Sequence, residues 1–220
     1  MTRALMNDYL WRMVPIPVLL VASLALLGAV PGGQYAVLSP GRLASGTMLA
    51  KGRFLVASRS LSDANFAETV ILLLDYHERG AMGLIINQPT EVRLAKVLPN
   101  MAGLQQRADT VYIGGPVDRS RMVLLIRSRS ALEDAQQVMD DIYVSSSRNL
   151  FERLVDKPDT GERFRVYAGY AGWAPGQLDR EVARGDWHVL PADAETVFDK
   201  APGDIWPELI RKGSIRWLSF

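Results

Sequence analysis

Cysteine is absent from this chain of 220 residues, and histidine occurs only as His77 and His188. Without thiols there is no disulfide, thiolate nucleophile or thiolate metal site, and the redox compartment is left open. Two imidazoles cannot build a centre of several histidine ligands, so no metal site is expected, and no cofactor. Neither sign of charge is in excess, with 25 Lys+Arg against 24 Asp+Glu. A balanced chain lacks the positive field that drives counterion release from a nucleic-acid backbone, so direct nucleic-acid binding is not expected. What is present is ordinary for a folded protein: 48% apolar and 22% charged residues, at a length that suits one domain plus an extension.

The extension is apolar. Met13 to Val30 hold no charge, follow Arg3 and Arg12, and end at Pro31-Gly32-Gly33. Such a run is barely long enough to cross a bilayer as a helix, and Pro15 and Pro17 push the regular part toward its end. No further Lys or Arg occurs until Arg42, so the charge bias predicts a membrane anchor over residues 13–30 with the domain on the extracytoplasmic side. A cleaved signal peptide is the competing reading, although Leu27-Gly28-Ala29 lacks the usual small residue three positions before a cut. Translation from Met48, just before Lys51-Gly52-Arg53-Phe54-Leu55, would instead leave a cytoplasmic protein. The expected organisation is an apolar segment over 1–32, a linker over 33–45 and a domain over 46–220.

Within the domain, Phe54 to Ala57, Thr69 to Leu74 and Leu84 to Ile86 are short apolar runs that predict strands buried on both faces. His77-Glu78-Arg79-Gly80 predicts a hairpin between the last two. Further strands are expected at Val111 to Ile113, Met122 to Ile126, Ile142 to Val144, Phe164 to Tyr167 and Ile215 to Leu218, with a short one holding Trp187 and His188. Ser147 predicts a cap for a helix through Leu150, Phe151, Leu154 and Val155, stopped by Pro158. A second helix is expected from Pro175 to Gly185, and a third from Asp204 as cap to Gly213, with Pro207 in its first turn. Strand runs are not separated by a helix each time, so a doubly wound parallel sheet is disfavoured and an α+β arrangement expected.

Three segments carry a family resemblance. They are Phe54 to Ser58 running on to Gly80-Ala81-Met82-Gly83-Leu84-Ile85-Ile86-Asn87-Gln88-Pro89-Thr90, then Gly114-Gly115-Pro116-Val117, and Gly169-Tyr170-Ala171-Gly172-Trp173-Ala174-Pro175-Gly176-Gln177-Leu178 with Glu181, Asp186 and Trp187. Together they resemble the YqgE/AlgH family, a bacterial group some of whose members are labelled transcriptional regulators. The resemblance implies a mixed, mainly antiparallel, bifurcated sheet curled into a pseudo-barrel with peripheral helices. Where many members carry histidines, this chain has Tyr76 and either Ile126 or Arg127. Imidazole chemistry is therefore not carried over.

No phosphate loop, GxGxxG turn or nucleophile–base set is present. Gly114 and Gly115 could form a small anion-binding nest or simply a turn. The Gly169 to Gln177 stretch joins a strand to a helix start, where free N–H groups could take a carboxylate or phosphate, with Gln177 orienting it and Glu181 one turn on. Dense packing around Trp173 is the alternative reading. The candidate ligand-binding residues are Asn87, Gly114, Gly115, Tyr170, Trp173, Gln177 and Glu181, and no catalytic residue is assigned. The leading expectation is a non-enzymatic binding or regulatory module with a protein or small-molecule partner. A ligand-binding protein or enzyme using the Gly169–Gln177 cleft, and a membrane-anchored envelope scaffold, are the alternatives.

Overall fold

The computed structural model describes residues 48–156 and 161–217. The apolar segment and linker expected over 1–45 lie outside the described residues, and among those described no helix is long and apolar enough to cross a membrane.

Ten strands form one sheet: β1 Arg53–Ala57, β2 Val70–His77, β3 Gly80–Ile85, β4 Pro89–Arg93, β5 Thr110–Ile113, β6 Val117–Arg127, β7 Gln136–Met139, β8 Ile142–Ser145, β9 Arg163–Trp173 and β10 Trp187–Pro191. Their order is β10-β1-β2-β3-β9-β6-β8-β7, with β5 beside β9 and β4 beside β5. All pairings are antiparallel except that of β5 with β9. The sheet forks along β9. Its first half pairs with β5 through Val166 to Ala168, its second half with β3 through Ala171 to Trp173, and β6 lies along its other edge.

The fork sits at Gly169, whose φ of +73° lies in the left-handed region that glycine tolerates best. Gly114 fills the crotch, donating from its N–H to Ala168 (2.9 Å) while its carbonyl accepts from Ile85 (2.9 Å). A Cβ on Gly114 would lie 2.3 Å from the Gly169 carbonyl oxygen, so the two branches close only around bare backbone. At the far end the sheet curls back on itself: a Cβ on Gly52, just before β1, would meet Met139 Cβ of β7 at 3.1 Å. This is the bifurcated, curled α+β architecture that the resemblance implied.

Both faces of the sheet are covered, which is why its strands read as unbroken apolar runs. On β6, Val123 and Leu125 join one core with Phe54, Leu72, Trp173 and Trp187, while Met122, Leu124 and Ile126 join a second with Leu150, Phe151 and Phe164. The covering helices are α1 Leu94–Val97, α2 Arg148–Asp156, α3 Gln177–Ala183, α4 Ala194–Phe198 and α5 Pro202–Trp217. Ser147 caps α2 by accepting from the Leu150 N–H (3.2 Å), whereas the expected stop at Pro158 lies outside the described residues.

The C-terminal end departs from expectation. The helix begins at Pro202 rather than after Asp204, so Pro207 falls inside it beyond the first turn. It also runs through Gly213 to Trp217, so Ile215 to Trp217 of the expected strand are helical and Leu218 lies outside the described residues. Gly213 is there for close approach rather than termination, since a Cβ would lie 3.0 Å from His188 Cβ on β10. Helix α4 was not foreseen, although its signal is local: Asp193 accepts from the Thr196 N–H (2.6 Å).

Candidate functional site

The site grows from the end of β9. Trp173 is the last residue of the strand, and Gly176, at φ +65°, turns the chain into α3. Gln177, the first helical residue, accepts the Ala174 N–H on its side-chain oxygen (3.1 Å) and donates from Nε2 to Glu181 Oε1 (2.9 Å), one helical turn on. The other carboxylate oxygen of Glu181 accepts two indole N–H groups, Trp173 Nε1 at 2.8 Å and Trp187 Nε1 at 2.9 Å. Both indoles are almost fully buried, at 4% and 2% exposure. Each would lose about 1–3 kcal/mol if left without an acceptor. One carboxylate therefore ties the end of β9, the start of α3 and the start of β10 together.

The rings pack as well as bond. Trp173 and Trp187 meet edge to face with centroids 6.3 Å apart, and Phe66 stacks on Trp173 at 6.5 Å while turning its edge to Trp187 at 5.7 Å. Phe66 arrives on the loop between β1 and β2, whose turn is held by Asp63 accepting from the Asn65 N–H (2.9 Å) and side-chain amide (3.0 Å). Between this loop and α3 lies a cleft of about 510 Å³. Ser60, Ser62 and Asn65 face it from the loop, and Gln177, Glu181 and Arg184 from the helix. Arg184 is already paired with Asp186 (2.6 Å).

The candidate residues divide. Trp173, Gln177 and Glu181 line the cleft. Asn87 does not: it accepts the Val70 N–H (2.8 Å) and donates to the Glu68 carbonyl (3.0 Å), holding a turn in which Glu68 has φ +56°. Gly114 and Gly115 serve the fork, a Cβ on Gly115 falling 2.3 Å from the Tyr170 carbonyl oxygen. Tyr170 is buried beneath Arg121, whose guanidinium stands 5.9 Å from its ring centroid, and burial raises its phenol above the ordinary range despite that charge. Ahead of α3, the Ala174 N–H is taken by the Gln177 side chain.

Sequence reasoning missed the wall formed by Ser60, Ser62, Asn65 and Phe66. No local pattern links that loop to a helix more than a hundred residues away. Tyr76 donates to Asp179 of α3 (2.6 Å), and burial first, then this bond, pushes its phenol up to about 12. His77 accepts from the Arg79 N–H in the hairpin turn (3.0 Å) and stands 3.3 Å from Asp75. Among the described residues no cluster of three His, Asp or Glu could hold a metal ion.

A family model described as AlgH-like matches residues 54–217. A UPF0301 protein of Anaeromyxobacter sp. (strain K) is 38% identical over 169 residues, covering 72% of this chain and 85% of its own length. One from Idiomarina loihiensis is 34% identical over 161 residues, covering 71% of this chain and 86% of its own length. The solution structure of the AlgH protein from Pseudomonas aeruginosa superposes with a TM-score of 0.63 at 31% identity, covering 73% of this chain and 87% of that one. A protein from Corynebacterium diphtheriae superposes at 0.66 with 26% identity, covering 76% and 89%.

These matches correct the expected membrane-anchored localisation. The family likeness covers the folded domain and leaves residues 13–30 outside it, and no described helix is long and apolar enough to cross a membrane. The anchor rested on hydropathy and flanking charge, in a run of marginal length that includes two prolines.

Proposed function

The chain belongs to the AlgH-like family, and from that premise we infer that it is a non-enzymatic binding module that receives its partner or ligand in the cleft between the Ser60–Phe66 loop and α3. The observation that carries this reading is the state of Glu181. Both its oxygens accept hydrogen bonds, from two indoles and an amide, and none of these donors titrates near neutral pH. A carboxylate so engaged positions its neighbours rather than shuttling protons, and no nucleophile stands with a base in the cleft. What remains is an aromatic floor with serine, asparagine and glutamine side chains around it. That composition suits recognition of a small molecule or peptide segment with an apolar body and several hydrogen-bonding groups.

The same reading leaves direct reading of DNA aside. Along α3 and its C-cap, Arg180 and Arg184 stand among Asp179 and Glu181, and Arg184 is held by Asp186. A recognition helix needs an unneutralised basic face. Partner capture is tested by a fragment and peptide screen read from the indole N–H resonances of Trp173 and Trp187. Binders that shift both resonances, and lose that effect in Asn65→Ala, are expected. Turnover of any bound compound, or binders that leave both indoles unmoved, would overturn the reading.

A further inference from the structure

A second cavity, of about 430 Å³, opens on the β5–β9 branch of the sheet, away from the Glu181 cleft. Its lining includes Arg107, Tyr112, Glu162, Arg163, Arg165 and Phe198. The three arginines all stand over aromatic rings, Arg107 4.9 Å from the Phe164 centroid, Arg163 5.7 Å from Phe198, and Arg165 4.8 Å from Tyr112 and 5.7 Å from Phe198. Cations held this way are fixed in direction before any ligand arrives.

Charge compensation separates the three. Arg107 is paired with Asp109 (2.5 Å), and Arg163 with Asp199. Arg165 has no carboxylate within ion-pair reach among the described residues, and its hydrogen bond to the Phe198 carbonyl is long, at 3.4 Å. Its Nη1 is shielded from solvent, with the buried Tyr167 phenol as its neighbour and no carboxylate opposite it. Glu162 is the mirror image: its Oε2 is likewise shielded, and neither a hydrogen bond nor an ion pair engages it among the described residues. Two opposite charges thus line one cavity without reaching each other. Half-buried charges on a cavity wall are ordinarily paired with one another or with a ligand. A ligand offering an acceptor to the accessible side of the Arg165 guanidinium and a donor to that of the Glu162 carboxylate would supply both missing counter-charges at once.

We propose that this cavity binds a small zwitterion of the amino-acid class, its carboxylate on Arg165 and its ammonium on Glu162. A simple anion would satisfy Arg165 but be repelled by Glu162, and a simple amine the reverse. The cavity is within the usual size of small-ligand sites, about 300–1,000 Å³, and Tyr112, Phe164 and Phe198 supply the apolar surface that a side chain would cover.

The test is calorimetric titration of the full chain with the free α-amino acids and with straight-chain ω-amino acids, alongside matched acids and amines that keep one end of each. NMR detection of the Arg165 Nε–H locates the event. At least one zwitterion is expected to bind saturably and shift that resonance, with each half-ligand at least about tenfold weaker. Arg165→Gln and Glu162→Gln should each weaken binding by about tenfold or more, with Arg165→Lys in between. If Arg165→Gln fails to fold, Glu162→Gln and the half-ligands decide the matter. Absence of saturable binding up to about 10 mM, a half-ligand binding as tightly as the whole, or binding untouched by Glu162→Gln would each overturn the proposal.

Discussion

The two cavities of this domain handle their charges in opposite ways. Around Glu181 the carboxylate, the two indoles and the Gln177 amide are all hydrogen-bonded within the motif, so these polar groups hold the fold together. Around Arg165 and Glu162, opposite charges line one space without meeting. The first region invests its polar groups in structure and offers its rim to a partner. The second leaves interactions unmade within the fold. A densely patterned motif can therefore be chiefly architectural, while an unpatterned stretch such as Glu162 to Arg165 holds the unsatisfied chemistry.

Stability measurements can break this contrast. The largest effect is expected for Glu181→Ala, which strands two buried indole N–H groups and the Gln177 amide: a loss of about 3 kcal/mol or more in urea unfolding. Glu181→Gln keeps an acceptor and should cost about half as much. Arg165→Gln, lacking an ion pair to lose, should cost less than about 1 kcal/mol. Equal losses at Glu181 and Arg165 would erase the distinction between the regions. Trp173→Phe, which removes one donor to Glu181 and part of a ring, should fall between Glu181→Ala and Arg165→Gln, at about 1–2 kcal/mol.

The smallest effect concerns pH. His188, next to Trp187 on β10 and packed against Gly213, has its imidazole pKa lowered by burial from the ordinary 6.5. As pH falls below that ordinary value, the unfolded chain takes up a proton that the folded chain refuses, so stability declines until pH passes the folded pKa. Urea midpoints at about pH 7.5 and about pH 5.5 should show this decline, and His188→Gln should flatten it. A slope unchanged in that variant would remove His188 as the cause.

Much of the fold was legible because both faces of the sheet are covered, which turns strands such as Val70 to Leu74 into continuous apolar runs. The glycine motifs were legible as special positions. Their purpose was not, because Gly114 is needed only where Gly169 of a strand more than fifty residues later crosses it. Gly213 misled for a related reason: read locally it stops a helix, yet close contact with His188 makes it a position inside one. The candidate site was half visible. Gln177 and Glu181 share a helix face by spacing alone, whereas the Ser60–Phe66 wall joins them only through the pairing of β1 with β10.

By itself the sequence determined the continuous apolar runs that make the strands, the caps and turns at their ends, and the absence of thiol and multi-histidine chemistry. These depend on neighbours within a few residues, where spacing translates directly into geometry. Tertiary structure alone decided which polar groups found partners. Tyr76 meets Asp179 and Arg165 meets Tyr112 across the fold, and whether a polar side chain finds a partner depends on those long-range approaches, which no local spacing encodes.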